Sequence, residues 1–182
     1  MPTPSTPPDG GPSTATDGPD VAHRDDRDDR DRAEHPVDLD ALAAVLSGVL
    51  AAEGVPARAE ASLQLVSAED IAALNAEHLG VDGPTDVLSF PIDGAAHDDV
   101  PQPDEPWLVG DVVVCVRVAA EQAPAHAGTL DDELALLVVH GGLHLCGWDH
   151  ATDDERTAMW ARERELLAAA GRTPSRDPWS AA

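Results

Sequence analysis

The segment His140-Gly-Gly-Leu-His144-Leu-Cys-Gly147-Trp-Asp-His150 closes a nearly unbroken apolar run that begins at Leu134. An apolar run with two histidines four residues apart predicts a buried helix carrying both. At i and i+4 the side chains sit about 40° apart around the axis and one turn along it, so both rings reach one point. A single ion at the roughly 2.0–2.1 Å of a zinc–nitrogen bond fits between them. His150 cannot join along a continuing helix, because six more residues carry it to another face and about 9 Å onward. Gly147 resolves this. Glycine tolerates the left-handed conformation that ends a helix, so the chain can turn back and present a third ligand. Three ligands leave a tetrahedral ion one open position, the catalytic rather than the structural arrangement.

One buried histidine is usually a hydrogen-bonded core residue. Three of them around a helix-ending glycine on an apolar segment are harder to place in a core, since unpartnered imidazoles are costly to desolvate. The spacing therefore predicts a metal ion held by His140, His144 and His150.

The 182 residues suffice for one domain with a proper core. The formal net charge is −24, and all eleven basic residues are Arg. Residues 1–36 hold nine acidic and four basic residues, which places −5 of that charge there and −19 in the remainder. Strong sequence-independent nucleic-acid binding rests on Lys and Arg neutralising phosphates. Any RNA contact by this chain has to be local and helped by a metal. Cys115 and Cys146 form no close-spaced pair and read as small buried residues. No apolar stretch is long enough to span a membrane, and the N-terminus shows no secretory h-region. These absences predict a cytoplasmic protein.

Residues 1–36, rich in Pro, Gly, Ser, Thr and Asp and ending in an Arg/Asp run, predict a disordered tail. Order is expected from Val37. Leu39, Leu42, Val45, Leu46, Val49 and Leu50 recur at helical spacing. Leu63 and Leu65 alternate with polar residues as a short strand. Ser67 can cap a helix from Ala68 to Leu79, and Asp86 to Ile92 reads as another strand after Gly83-Pro84. An acidic loop follows from Asp93 to Pro106, then a near-continuous apolar strand from Val109 to Val116. A short helix from Arg117 to Ala125 leads to Thr129, a cap for the histidine helix. Thr152 and Glu155 make a capping box for a last helix reaching Gly171, and residues 172–182 are expected to fray. The fold class is α+β, a small mixed sheet of about four strands packed with about five helices over residues 37–171.

The spacing His-x-x-x-His-x-x-Gly-x-x-His is also that of metzincin proteases, whose first His is followed by a Glu acting as general base. Gly141 occupies that position here. The proton acceptor that peptide hydrolysis uses is missing. A metalloprotease stays open only if another carboxylate, such as Glu133 or Asp149, reaches the metal-bound water.

At this point the chain resembles a known family, the YbeY endoribonucleases, bacterial single-strand RNases of rRNA maturation. Leu74-Asn75 followed by Pro84-Thr85-Asp86-Val87-Leu88-Ser89-Phe90-Pro91 is similar to one family block, and Gly110 to Cys115 to another. His140 to His150 resembles the metal block, with Glu133 before it and Met159 and Glu165 after it. The blocks stand in the family's order over residues 37–171. The resemblance implies a zincin-like fold with His140, His144 and His150 as zinc ligands. It implies metal-dependent cleavage of single-stranded rRNA, in maturation of the small-subunit 16S 3′ end and in ribosome quality control. The ribosomal small subunit or its assembly factors are the implied partners. Zinc would polarise a phosphoryl oxygen and either lower the pKa of its bound water to around 7 or serve as Lewis acid for attack by a 2′-hydroxyl, and the residues do not separate the two routes.

The chain departs from the family twice. Many members carry an Arg four residues after the Asn of the second block, where this chain has Leu79. The family also opens with a strand, so the sheet here lacks one or uses a degenerate one such as Val21-Ala22-His23. The missing cation and the acidic charge motivate a second reading, an assembly factor with a structural zinc and little nuclease activity. Catalytic residues are unassigned, with Asp149 and Ser89 as candidates. Asp149 orients a histidine or makes the turn after Gly147. Thr85 and Asp86 read as loop-holding residues beside a groove containing Ser89. Trp148 reads as a packing anchor rather than a base-stacking residue, and His78 and His126 as surface residues.

Overall fold

The computed structural model describes residues 18–93 and 107–180. Strand β2 (Ala59–Leu65) buries every second residue, the mark of a strand with one face on a core. It pairs in parallel with β4 (Trp107–Val114), which is buried along most of its length. On the far side of β4 lies β3 (Val87–Pro91), the one antiparallel neighbour among the described residues. On the far side of β2 lies β1 (Asp20–Asp25), again parallel, which gives the order β1-β2-β4-β3. The expected four-stranded mixed sheet is present.

Six helices surround it among the described residues. Helix α1 (Asp29–Glu34) is short and buries none of its residues. Helix α2 (Leu39–Ala52) and helix α5 (Leu130–Leu145) share a core with Leu63, Val112 and Val114 on one face of the sheet. Helix α3 (Ala68–Leu79) covers the other face, where Ile71 meets Leu88, Val113 and Cys115. Helix α4 (Val116–Gln122) and helix α6 (Asp153–Ala169) complete the shell. Apolar nearly all round, α5 is the central helix, as a helix without a polar face must be. Ser67 and Thr129 cap their helices, and Thr152 with Glu155 forms the full capping box.

Two boundaries differ from the expectation. Order begins well before Val37, because β1 and α1 fall inside the stretch expected as a tail. The degenerate strand is real. The four arginines between Asp20 and Glu34 each face an acid, Arg24 with Asp26, Arg27 with Asp25 and Asp31, Arg30 with Glu34 and Arg32 with Asp29. Composition sums these charges as unfavourable, whereas the fold neutralises them in pairs. The C-terminal segment is also docked rather than frayed up to Ser180. Arg176 N–H donates to the Ala127 carbonyl, Ser175 is bonded to Asp132, and Trp179 packs on the core. Most of the acidic loop expected over Asp93–Pro106 lies outside the described residues, as do residues 1–17.

Candidate metal centre

Helix α5 presents His140 and His144 on one face, and its close seating depends on the two glycines between them. A Cβ on Gly141 would stand 2.8 Å from Val112 Cγ1 and 3.0 Å from Ser89 Oγ. A Cβ on Gly142 would stand 2.9 Å from both Leu46 Cδ1 and Val49 Cγ1. The Gly-Gly pair therefore lets the helix wedge between the sheet and α2. Ser89 donates its hydroxyl to the Gly141 carbonyl at 3.2 Å, a sheet-to-helix tie. It follows that position 141 points into the sheet, and a longer side chain there would meet packed strands.

After α5 the chain reverses at Gly147, whose φ of 85° lies in the left-handed region. The turn does two things. It returns His150, so that ligand atoms of His140, His144 and His150 all lie within 4.8 Å of one another. It also aims the Trp148 carbonyl at His144, whose Nδ1–H donates to it at 2.9 Å. His140 Nδ1 is held in the same way by Glu163 Oε1 at 2.8 Å. With Nδ1 committed as donor in both rings, each Nε2 carries a free lone pair, and the two face each other at 3.1 Å. Two acceptors that close repel unless something electropositive lies between them. Nitrogens bound at 2.0–2.1 Å to one tetrahedral ion would lie about 3.3 Å apart, so the donor set fits a metal. Burial holds the His144 imidazole below its usual pKa, and the neighbouring His140 and His150 push it the same way. The neutral ring is the ligand form.

Glu163, from α6, is almost wholly buried. Its second oxygen accepts from Trp179 Nε1 at 2.6 Å, so the C-terminal segment reaches back to the group that orients His140. The family resemblance points to Glu165 after Met159, without a role, and not to Glu163. Glu165 sits on the surface, paired with Arg162. The signal for Glu163 was available in the spacing of Met159, Glu163, Leu166 and Leu167, which are the buried positions of α6.

The remaining candidates fall out as follows. Asp149 accepts from the His150 backbone N–H at 2.7 Å, which makes it a turn-former. Glu133 is fully buried and bonded to His126 and to the Ala127 N–H. Asp86 accepts from the Thr85 hydroxyl and the Val87 N–H, holding its own loop. Asn75 ties that loop to α3 by donating to the Gly83 carbonyl at 2.9 Å. Trp148 is an anchor, its indole donating to Glu53. Leu79 is an exposed apolar residue, 63 % accessible. The thiol of Cys146, two residues from His144, is pushed up to about 12 by burial and stays protonated.

A small cleft of about 200 Å³ opens beside His140, between Asp86, His126, Trp160, Glu163 and Trp179. An α+β scaffold with three converging histidines next to a cleft defines a site that could hold a metal, and the absence of a side chain at position 141 separates it from the metzincin proteases.

Comparison with known proteins narrows the class. The family model described as Endoribonuclease YbeY matches residues 26–171. The chain belongs to this family of hydrolytic nucleases. A relative from Salinispora tropica named Endoribonuclease YbeY is 46 % identical over 145 residues, 77 % of this chain and 92 % of that protein. One of the same name from Thermobifida fusca is 43 % identical over 133 residues, 73 % of this chain and 86 % of that one. The solution structure of TM1509 from Thermotoga maritima is 24 % identical, covering 85 % of this chain and 99 % of that chain at a TM-score of 0.48.

Proposed function

We propose that this protein is a zinc-dependent endoribonuclease that cleaves single-stranded RNA, with His140, His144 and His150 as ligands of one Zn2+ per chain. The observation that carries the reading is the pair of lone-pair-bearing Nε2 atoms at 3.1 Å, each fixed by its own Nδ1 partner. Family membership supplies the substrate class, because the relatives are named endoribonucleases. When bound, zinc supplies a Lewis acid that stabilises charge at a phosphoryl group. The chain's residues hold the geometry. Glu163 fixes the His140 ring, the Trp148 carbonyl fixes His144, and Gly141 lets the helix approach the strands.

The substrate within that class is small-subunit 16S rRNA at its 3′ end, in the cytoplasm, with the ribosomal small subunit or its assembly factors as partners and a part in ribosome quality control. The strongly acidic surface supports this reading, since it favours RNA presented by a partner over RNA gathered by charge alone. No helix among the described residues is long and apolar enough to cross a membrane.

Purified protein is expected to carry one zinc per chain and to cleave an unstructured RNA oligonucleotide. His144→Ala is expected to lose metal and activity together. Full cleavage by metal-free His144→Ala protein would end the reading. Exposed Leu79 favours a second one, an assembly factor with structural zinc. Rescue of rRNA maturation in a deletion strain by a metal-site mutant would select it, and faster cleavage by Leu79→Arg would count against it.

A further inference from the structure

We propose that His126, oriented by the buried Glu133, is the proton acceptor of the cleavage reaction. The inference rests on the endoribonuclease reading above. Glu133 has no exposed surface, yet it carries a carboxylate into the core of the metal-bearing helix. Its oxygens lie 2.9 Å and 3.0 Å from His126 Nδ1, and one also accepts the Ala127 N–H at 3.1 Å. A buried carboxylate tied to one ring nitrogen sets the tautomer, Nδ1–H toward the acid and a free lone pair on Nε2. It also faces the positive charge that forms when Nε2 takes a proton. This is the base-and-orienter pairing of acid–base enzymes, built on residues with no part in the metal triad.

The imidazole is 43 % exposed and lines the cleft beside His140. The other titratable side chains on that wall are engaged. His140 Nε2 faces His144, both Glu163 oxygens are bonded, and Asp86 uses Oδ1 to hold Thr85 and Val87 in its own loop. Elsewhere the obvious groups are missing, since position 141 is Gly and position 79 is Leu. Of the groups on this wall outside the triad, His126 is the imidazole backed by a buried acid, which makes it the proton acceptor. In the step, an attacking hydroxyl oxygen forms its bond to phosphorus and passes its proton to Nε2. As the scissile P–O bond breaks with its electron pair on the leaving oxygen, the imidazolium returns a proton to that oxygen. The ring is regenerated and no co-reactant is consumed.

The test uses the full-length zinc-loaded protein and an RNA oligonucleotide. His126→Ala is expected to lower kcat by about 100-fold or more, within the range for a lost general base. Metal content and RNA Kd are expected to stay at the wild-type values, and added imidazole to restore part of the rate. Glu133→Gln places an amide donor against Nδ1 and turns the ring's lone pair from the cleft. It is expected to lower kcat comparably with zinc retained. Wild-type kcat in His126→Ala would overturn the proposal, as would a loss that imidazole does not repair or that follows loss of zinc. A wild-type protein that cleaves no RNA would instead overturn the endoribonuclease reading itself.

Discussion

Glu163 serves two partners with its two oxygens, His140 on one side and the Trp179 indole on the other. Such an acid both orients a ligand and raises its basicity, and its loss typically weakens metal binding 10–100-fold. Glu163→Gln keeps the shape but trades an anion for a neutral amide. Zinc affinity measured by chelator competition is expected to fall by about 10–100-fold, with the melting temperature nearly unchanged. Trp179→Phe removes one N–H and keeps the ring, so a smaller weakening of the same sign is expected. Unchanged affinity in both would show that His140 is held by packing alone. The three histidines were legible because helix period and a glycine stop are local properties. Their supports were harder to read, because Glu163 lies 23 residues from His140. His126 carried no pattern at all, and only the folded chain brings it to a buried acid.

At the scale of elements, the approach of α5 to the sheet is set by hydrogen atoms where side chains would stand. Gly141→Ala gains helix propensity of about 1 kcal/mol. It also places a Cβ 2.8 Å from a branched Val112 methyl in a buried strand, with little freedom to move. Overpacking of this kind costs about 1–3 kcal/mol, so the variant is expected to be less stable by about 1 kcal/mol and to bind zinc more weakly. Gly48 supplies the contrast. It sits exposed within α2, and an added Cβ meets nothing within 4 Å. Gly48→Ala is expected to stabilise by about 0.5–1 kcal/mol in urea unfolding. Equal effects from the two substitutions would refute the wedge. Capping chemistry made most helices legible, as Ser67, Thr129 and Thr152 show. Strand β1 was not legible beyond a hint at Val21–His23, because Val21 is its one buried residue and no alternation marks its inner face.

Across the whole molecule, that edge strand is anchored by a charge that composition alone assigns to solvent. The Arg27 side chain is 2 % exposed, and its guanidinium donates to Asp25 at 2.7 Å and 2.9 Å and to the His35 carbonyl. Burial works against the Asp25 charge, but the bonds from Arg27 outweigh it and hold the carboxyl below its usual range. A depressed carboxylate pKa contributes stability that is fully present above the unfolded value of about 3.9 and is lost as pH falls through the lower folded value. Asp25→Asn removes that dependence and leaves a buried guanidinium with Asp31 at 3.5 Å as its nearest remaining acid. Breaking a fully buried pair costs about 3–5 kcal/mol, and the partial exposure of Asp25 lowers the expectation to about 2–3 kcal/mol at pH 7. Urea unfolding of wild type and variant should show that gap at pH 7, with the two curves converging as pH drops below about 3.9. A gap that stayed constant into acid would mean that β1 is secured by its parallel ladder to β2 rather than by this ion pair.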